Sequence, residues 1–152
     1  MSLLLDLADE AATEALGRRL ADAARPGDVI ALTGPLGAGK STLARAFIRR
    51  LTSEREDVPS PTFTLVQTYA SARGTIWHFD LFRLGQPQEA LELGIEEALA
   101  EGIVLLEWPE RLGALLPARR LAVKLAVAAD GDARHAELAG EGWTGRFGAL
   151  AP

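Results

Sequence analysis

The chain has 152 residues, 48% hydrophobic and 24% charged, which is enough for one folded domain with its own core over residues 1–152. It contains no cysteine, which excludes disulfides, thiolate metal ligands and thiol catalysis. A net charge of −5 gives no overall attraction for nucleic acid, and no apolar stretch reaches the length of a membrane span. We therefore expect a cytoplasmic protein without membrane contact.

Apolar periodicity predicts an amphipathic helix from Asp9 to Ala24, then a short buried strand at residues 29–33. A glycine-rich segment and a second helix follow. The later predicted elements are a hairpin of strands 64–69 and 75–80, a helix over 86–100 broken near Gly94, a buried strand at 103–106, a short helix at 110–116, and a hairpin of 120–127 and 133–139 joined by Asp130-Gly131-Asp132. We expect the last dozen residues to be loosely held. This order predicts an α/β fold with a mixed sheet.

The glycine-rich segment, residues 34–41, reads GPLGAGKS and matches the phosphate-binding pattern G-x-x-x-x-G-K-[ST] at every fixed position. Glycines let successive backbone N–H groups curl around an anion, and the following helix directs its positive end to the same place. Lys40 would reach the β- and γ-phosphates, and the Ser41 hydroxyl would bind Mg²⁺. Because a buried strand precedes the pattern and a helix follows it, we expect an ATP-binding domain of the P-loop NTPase type and not a simple turn. Its central sheet should be mixed and mostly parallel, with flanking helices and antiparallel hairpins.

Two carboxylates follow predicted strands and are candidates to complete a magnesium site. Glu107 follows the apolar run IVLL, and we predict that it holds the metal directly or through water. Asp80 ends WHFD, and we predict that it orients the attacking water or belongs to the metal shell. The alternatives are a surface acid at Glu107 and a structural salt bridge between Asp80 and Arg83.

Ser60 and Thr62 flank a proline after a polar loop, at a position where other P-loop proteins keep a segment that responds to the γ-phosphate. We predict a switch-like role for them, with a proline-stiffened start of a strand as the alternative. Trp108 is interpreted as a packing residue.

Five motifs in order, GPLGAGKST, SPTFTLVQTY, WHFDLFRL, LELGIEEAL and LLEWPERL, are similar to those of the small bacterial ATPases called TsaE or YjeE. The resemblance runs from about Asp9 to the second hairpin. It implies ATP and Mg²⁺ as cofactors, slow hydrolysis, and an accessory role for a complex of TsaB and TsaD. In that complex TsaD transfers the threonylcarbamoyl group to adenosine in tRNA, so contact with tRNA would be indirect.

The resemblance also implies roles for particular residues. Ser41 and Glu107 correspond to the magnesium positions, and Asp80 corresponds to an important aspartate. The expected catalytic residues are Lys40, Asp80 and Glu107. The expected ATP-binding residues are Gly34, Leu36, Gly37, Ala38, Gly39, Lys40, Ser41 and Thr42 around the phosphates, Glu10 and Thr13 near the base, and Gly131, with Arg134, at the tip of the last hairpin.

The chain departs from the family pattern at Pro35, where an acidic residue is common, and at Phe82, where tyrosine is common. Neither position carries the metal or phosphate chemistry, although Phe82 excludes any role that needs a hydroxyl there.

Three other functions fit a phosphate-binding loop. A small-molecule kinase would need an arginine-bearing lid, for which Arg111, Arg119 and Arg120 are the candidates. A GTP-driven switch would normally carry an N-K-x-D motif, and this chain contains no asparagine. A nucleotide-gated binding module would differ from the ATPase only in having negligible hydrolysis.

Overall fold

Seven strands form one sheet in the computed structural model, which describes residues 2–129 and 131–152. The strands are β1 (Ser2–Leu7), β2 (Val29–Thr33), β3 (Val66–Ser71), β4 (Gly74–Asp80), β5 (Ile103–Glu107), β6 (Leu121–Val127) and β7 (Arg134–Gly140). The helices are α1 (Glu10–Ala23), α2 (Lys40–Leu51), α3 (Glu89–Glu92) and α4 (Ile95–Glu101), with 3₁₀ segments at Pro109–Leu115 and Thr144–Ala149. Within these described ranges, no helix combines the length and the apolar character needed to cross a membrane.

The strand order is β1-β7-β6-β2-β5-β4-β3. The four central strands, β6, β2, β5 and β4, are parallel, whereas β7 pairs with β6 and β1, and β3 with β4, in antiparallel fashion. This confirms the predicted α/β class, with a mostly parallel centre and antiparallel hairpins. β2 lies between β5 and β6, and its side chains are buried on both faces of the sheet, Ile30 and Leu32 on one and Val29 on the other, which explains its continuous apolar sequence.

Side chains alternate between the two faces of the sheet, and each face has its own core. One core joins α1 and α2 to residues such as Ile30, Leu32 and Leu105. The other joins α3, α4 and the Pro109–Leu115 segment to residues such as Phe79 and Leu106. His78, Asp80 and Glu107 alternate with Phe79 and Leu106 along β4 and β5, so their side chains lie on the face that α1 and α2 cover.

The helix starts follow local signals. Asp9 caps α1, because its carboxylate oxygen Oδ1 accepts a hydrogen bond of 2.9 Å from the backbone N–H of Ala12. The predicted break near Gly94 is also present, since this residue has φ 84° and separates α3 from α4.

Small differences from the sequence-based prediction are the start of β3, at Val66 and not at residue 64, and the short helix at 110–116, which is a 3₁₀ segment. Two larger differences lie near the two ends of the chain. The N-terminal residues form the edge strand β1, which pairs with β7 and was not predicted. The last dozen residues are not loosely held, because Trp143, Phe147 and Leu150 are buried against the α1–α2 core. Both segments pack against distant parts of the chain, and a local sequence pattern does not indicate such contacts. Asp130, in the predicted turn of the second hairpin, lies outside the described residues.

Candidate functional site

A cavity of about 290 Å³ opens where the loop after β2 meets the carboxyl ends of β4 and β5. Most of the predicted site residues line it. They are Glu10 and Thr13 of α1, loop and α2 residues 36, 37 and 39–42, Thr62, Asp80 and Glu107. Parallel strands place their carboxyl ends at one edge of the sheet, which is why residues far apart in sequence converge here.

Two glycines shape the loop. A Cβ at Gly34 would lie 2.5 Å from the carbonyl oxygen of Leu125, so the loop can pass close to β6 only without a side chain. Gly39 precedes α2 with φ 105°, and within the described part of the chain no side chain caps this helix. The N–H groups of the first turn of α2 therefore have no intrahelical partners, and residues of that turn line the cavity.

Lys40 is held at the base of the loop and is only 5% exposed. Its ammonium Nζ donates a hydrogen bond of 2.5 Å to the carbonyl oxygen of Gly34 and lies 3.7 Å from the centroid of the Trp108 ring. Burial lowers the pKa of the Lys40 ammonium, while the negative charges of Glu107, Asp80 and Glu110 oppose that shift. The Lys40 ammonium therefore lies among carboxylates, in a place partly closed to water.

Glu107 ends the fully buried strand β5 and is 2% exposed, so it is not an ordinary surface acid. Its oxygen Oε1 accepts a hydrogen bond of 3.3 Å from the Ser41 hydroxyl, and Oε2 lies 2.7 Å from Nε2 of His78. A hydroxyl and a carboxylate are oxygen ligands of the type that Mg²⁺ prefers. The structure thus brings together the two residues predicted to hold the metal.

Asp80 ends β4 opposite Glu107 in the parallel register and is 5% exposed. Its Oδ2 accepts a hydrogen bond of 3.0 Å from the Thr62 hydroxyl, and Thr62 in turn shares a hydrogen bond of 2.8 Å with Ser60. The alternative salt bridge to Arg83 is not formed, because that guanidinium stacks over the Phe63 ring at 4.5 Å. The segment predicted to be switch-like therefore reaches the cavity at Thr62, which lines it and contacts Asp80.

The β6–β7 hairpin closes another side of the cavity. Nη2 of Arg134 donates a hydrogen bond of 3.1 Å to the carbonyl oxygen of Gly37, and Arg134 lines the cavity together with Asp132. Arg111, Arg119 and Arg120, the candidates for a kinase lid, do not line the described part of this cavity.

Comparison with known proteins decides the family. Residues 7–136 match the family model described as threonylcarbamoyl adenosine biosynthesis protein TsaE. The chain belongs to the TsaE family. It is 42% identical to the tRNA threonylcarbamoyladenosine biosynthesis protein TsaE of Rickettsia felis over 124 residues, which are 82% of this chain and 72% of that protein. It is 38% identical to the Rickettsia bellii protein of the same name over 135 residues, 89% of this chain and 93% of the relative.

A solved structure has the same fold as this TsaE-family chain. The crystal structure of YdiB from Bacillus subtilis superposes with a TM-score of 0.75 at 28% identity, covering 99% of this chain and 91% of that one. The resemblance stated from the sequence motifs is confirmed, and TsaE-family proteins take part in the biosynthesis of threonylcarbamoyladenosine in tRNA.

Some predicted site residues of the TsaE-family chain do not line the cavity. Ala38 is fully buried in the core. Gly34 contributes to the site through its carbonyl oxygen, which accepts a hydrogen bond from the Lys40 ammonium. Gly131 does not line it either, although Asp132 and Arg134 beside it do. Ser60 reaches the cavity only through Thr62.

Sequence reasoning missed three residues of the site. Trp108 packs against the second core, as interpreted, but its ring also lies against Lys40, with the backbone in a left-handed conformation of φ 58° after β5. Asp132 lines the cavity, and His78 contacts Glu107. The position of His78 two residues before Asp80 on one strand was the available signal, since such residues share a face.

The departure from the family pattern at Phe82 is explained by its contacts. Its backbone N–H donates a hydrogen bond of 3.1 Å to Oδ1 of Asp80, and its ring packs on Trp108 at 5.0 Å. Neither contact requires a hydroxyl.

Proposed function

We propose that this chain binds ATP with Mg²⁺ and hydrolyses it slowly, as an accessory protein of the TsaB–TsaD complex that makes threonylcarbamoyladenosine in tRNA. The observation that carries the proposal is the meeting of three groups beside the first turn of α2. They are the Lys40 ammonium, the Ser41 hydroxyl and the Glu107 carboxylate.

The loop supplies the phosphate contacts. The unpaired N–H groups of the first turn of α2 and the cation of Lys40 both suit an anion, and the glycine backbone lets that anion approach closely. Glu10 and Thr13 border the same cavity from α1, and we expect them to contact the nucleoside. Together these groups fit a nucleoside triphosphate better than a free phosphate, because the cavity continues from the loop to α1.

The carboxylates supply the metal and water contacts. Ser41 and Glu107 hold Mg²⁺, and Asp80 orients the attacking water or joins the metal shell. When bound, the metal ion withdraws charge from the phosphate oxygens as a Lewis acid. The Thr62 hydroxyl fixes the orientation of Asp80, which links the Ser60–Thr62 segment to the state of the bound nucleotide.

The expected hydrolysis is slow because phosphoryl transfer depends on positioning and on stabilisation of developing charge. The cavity is not fully enclosed. Leu36, which lines it, and Phe63, which follows the lining residue Thr62, carry large apolar side chains that are 74% and 80% exposed. A partner that covers this opening would exclude water and complete the site. The TsaB–TsaD pair is the partner that the family assignment suggests, with tRNA reached through that complex.

The test is ATP hydrolysis by the purified chain, alone and with the TsaB–TsaD pair. We expect a low rate alone and a clear increase with the pair, and Glu107→Gln is expected to remove that increase. A rate indifferent to the pair would contradict the accessory role. Binding of ATP without turnover under every condition would favour the nucleotide-gated binding module instead. A pull-down with ATP, with ADP and without nucleotide shows which state binds the pair.

A further inference from the structure

The buried histidine beside Glu107 has no part in the proposed chemistry. His78 lies on β4, is 2% exposed, and places Nε2 2.7 Å from Oε2 of Glu107. The carboxylate is equally buried, so this contact is shielded from solvent. A hydrogen bond between two polar groups at such a depth holds both in one orientation, because neither has water as a substitute partner.

The surroundings of the ring indicate which nitrogen carries the proton. His78 Nδ1 is buried and has no hydrogen-bond partner among residues 2–129 and 131–152. An N–H at that position would leave a donor unsatisfied, whereas Nε2 has the Glu107 carboxylate in front of it. A proton on Nε2 therefore fits the site best, and His78 donates to Glu107.

We propose that His78 is a positioning residue that holds the Glu107 carboxylate for magnesium. The donated hydrogen bond occupies Oε2, which leaves Oε1 directed at the Ser41 hydroxyl and the cavity. Without that bond the carboxylate can rotate about its last torsion, which is broad for glutamate, and Oε1 loses its fixed direction. The inference rests on the proposed function, because it assumes that Glu107 holds the metal.

The sheet register explains how a histidine comes to be there. His78 pairs with Leu105 and Asp80 with Glu107 in the parallel β4–β5 ladder, and all four side chains are on the face under α1 and α2. His78 therefore lies one layer below the two carboxylates, between them and the apolar core residue Ile76. From this layer the ring supports Glu107 without bordering the cavity.

Two variants separate positioning from packing. His78→Leu replaces the ring by an apolar side chain of similar bulk and removes the donor. His78→Gln keeps an N–H donor near the position of Nε2. Phe79→Leu is the matched control, since Phe79 is the next residue of β4, is fully buried, and belongs to the core on the opposite face. If His78→Leu does not fold, as judged by circular dichroism, His78→Asn replaces it, because its shorter amide reaches only the Nδ1 position.

The readout is the affinity for adenylyl imidodiphosphate, an ATP analogue that is not hydrolysed, measured by calorimetry with Mg²⁺ and with EDTA. Loss of a hydrogen-bonding partner of a metal ligand typically weakens metal binding about 10- to 100-fold. We expect His78→Leu to lose affinity by that factor with Mg²⁺ but not with EDTA, and His78→Gln to recover most of the loss. Phe79→Leu should lower the melting temperature and leave both affinities unchanged.

Each outcome decides the proposal. A His78→Leu variant with wild-type affinity in Mg²⁺ would overturn it, even if the variant melted earlier, because the histidine would then only fill space. Equal losses with Mg²⁺ and with EDTA would overturn it as well, since they indicate a general distortion of the loop. If the wild-type chain binds the analogue no better with Mg²⁺ than with EDTA, the assignment of Glu107 to the metal fails and the role of His78 fails with it. The wild-type measurement thus separates the two failures.

Discussion

Replacing Lys40 by methionine is expected to weaken ATP binding by about 10- to 150-fold. The variant keeps the length of the side chain and removes the charge. Lysine has three N–H donors. In the structure one of them is used by the carbonyl of Gly34, and the Trp108 ring covers another side of the ammonium. At least one donor remains for a phosphate oxygen, and a charge-assisted hydrogen bond contributes about 1.5–3 kcal/mol, which gives the stated range.

The same variant is expected to fold at least as stably as the wild type. Because burial lowers the pKa of the Lys40 ammonium below its ordinary value of 10.5, the unfolded chain binds more protons between the folded pKa and 10.5. The charged form therefore disfavours folding at neutral pH, and this penalty is relieved only as the pH rises through that window. A neutral methionine removes the penalty, so the melting temperature of Lys40→Met should not fall.

Calorimetric titration with ATP and Mg²⁺ measures the loss. Lys124→Met is the matched control, because Lys124 is the only other lysine and lies exposed on β6. The control should bind ATP like the wild type. Equal affinities of the Lys40 and Lys124 variants would refute the reasoning, since the loop lysine would then make no contact with the phosphates.

Three further substitutions test the fold. Arg146→Ala should lower the free energy of unfolding by about 3 kcal/mol in urea titrations, because the largely buried carboxylate of Asp28 loses a bidentate partner at 2.6 and 3.0 Å; a loss below about 1 kcal/mol would mean that the pair behaves as a surface pair. Tyr69→Phe should raise stability at neutral pH by about 1 kcal/mol, since the Tyr69 hydroxyl is buried without a partner among the described residues. Burial also raises the pKa of Tyr69 above its ordinary value of 10.0, so wild-type stability should fall as the pH rises from 10.0 toward the folded pKa, and the phenylalanine variant should lack this part of the decline. Gly17→Ala should destabilise the chain by about 1–2 kcal/mol despite the helix preference of alanine, because the new Cβ would lie 2.5 Å from the carbonyl oxygen of Leu43; an unchanged melting temperature would show that α1 can move away from α2 freely.

The sequence allowed the place of the glycine-rich loop to be predicted, between the strand before it and the helix after it. Glycines, a lysine and a serine at fixed spacing constrain a local backbone path, and the short apolar runs at 29–33 and 103–106 indicate strands covered on both faces. The placement of Glu107 and Asp80 at strand ends was predictable for the same reason.

The tertiary structure alone decided which of these residues touch. That Glu107 meets Ser41 and His78, and that Trp108 covers Lys40, depends on the parallel alignment of β4 and β5 beside β2. The edge strand β1 and the packed C-terminal segment likewise could not be predicted from the sequence. Each is stabilised by partners more than a hundred residues away, as in the pairing of Leu5 with Ala136. Local patterns record the conformation that a segment prefers, whereas contacts of this kind depend on the free energy gained when distant segments bury surface together.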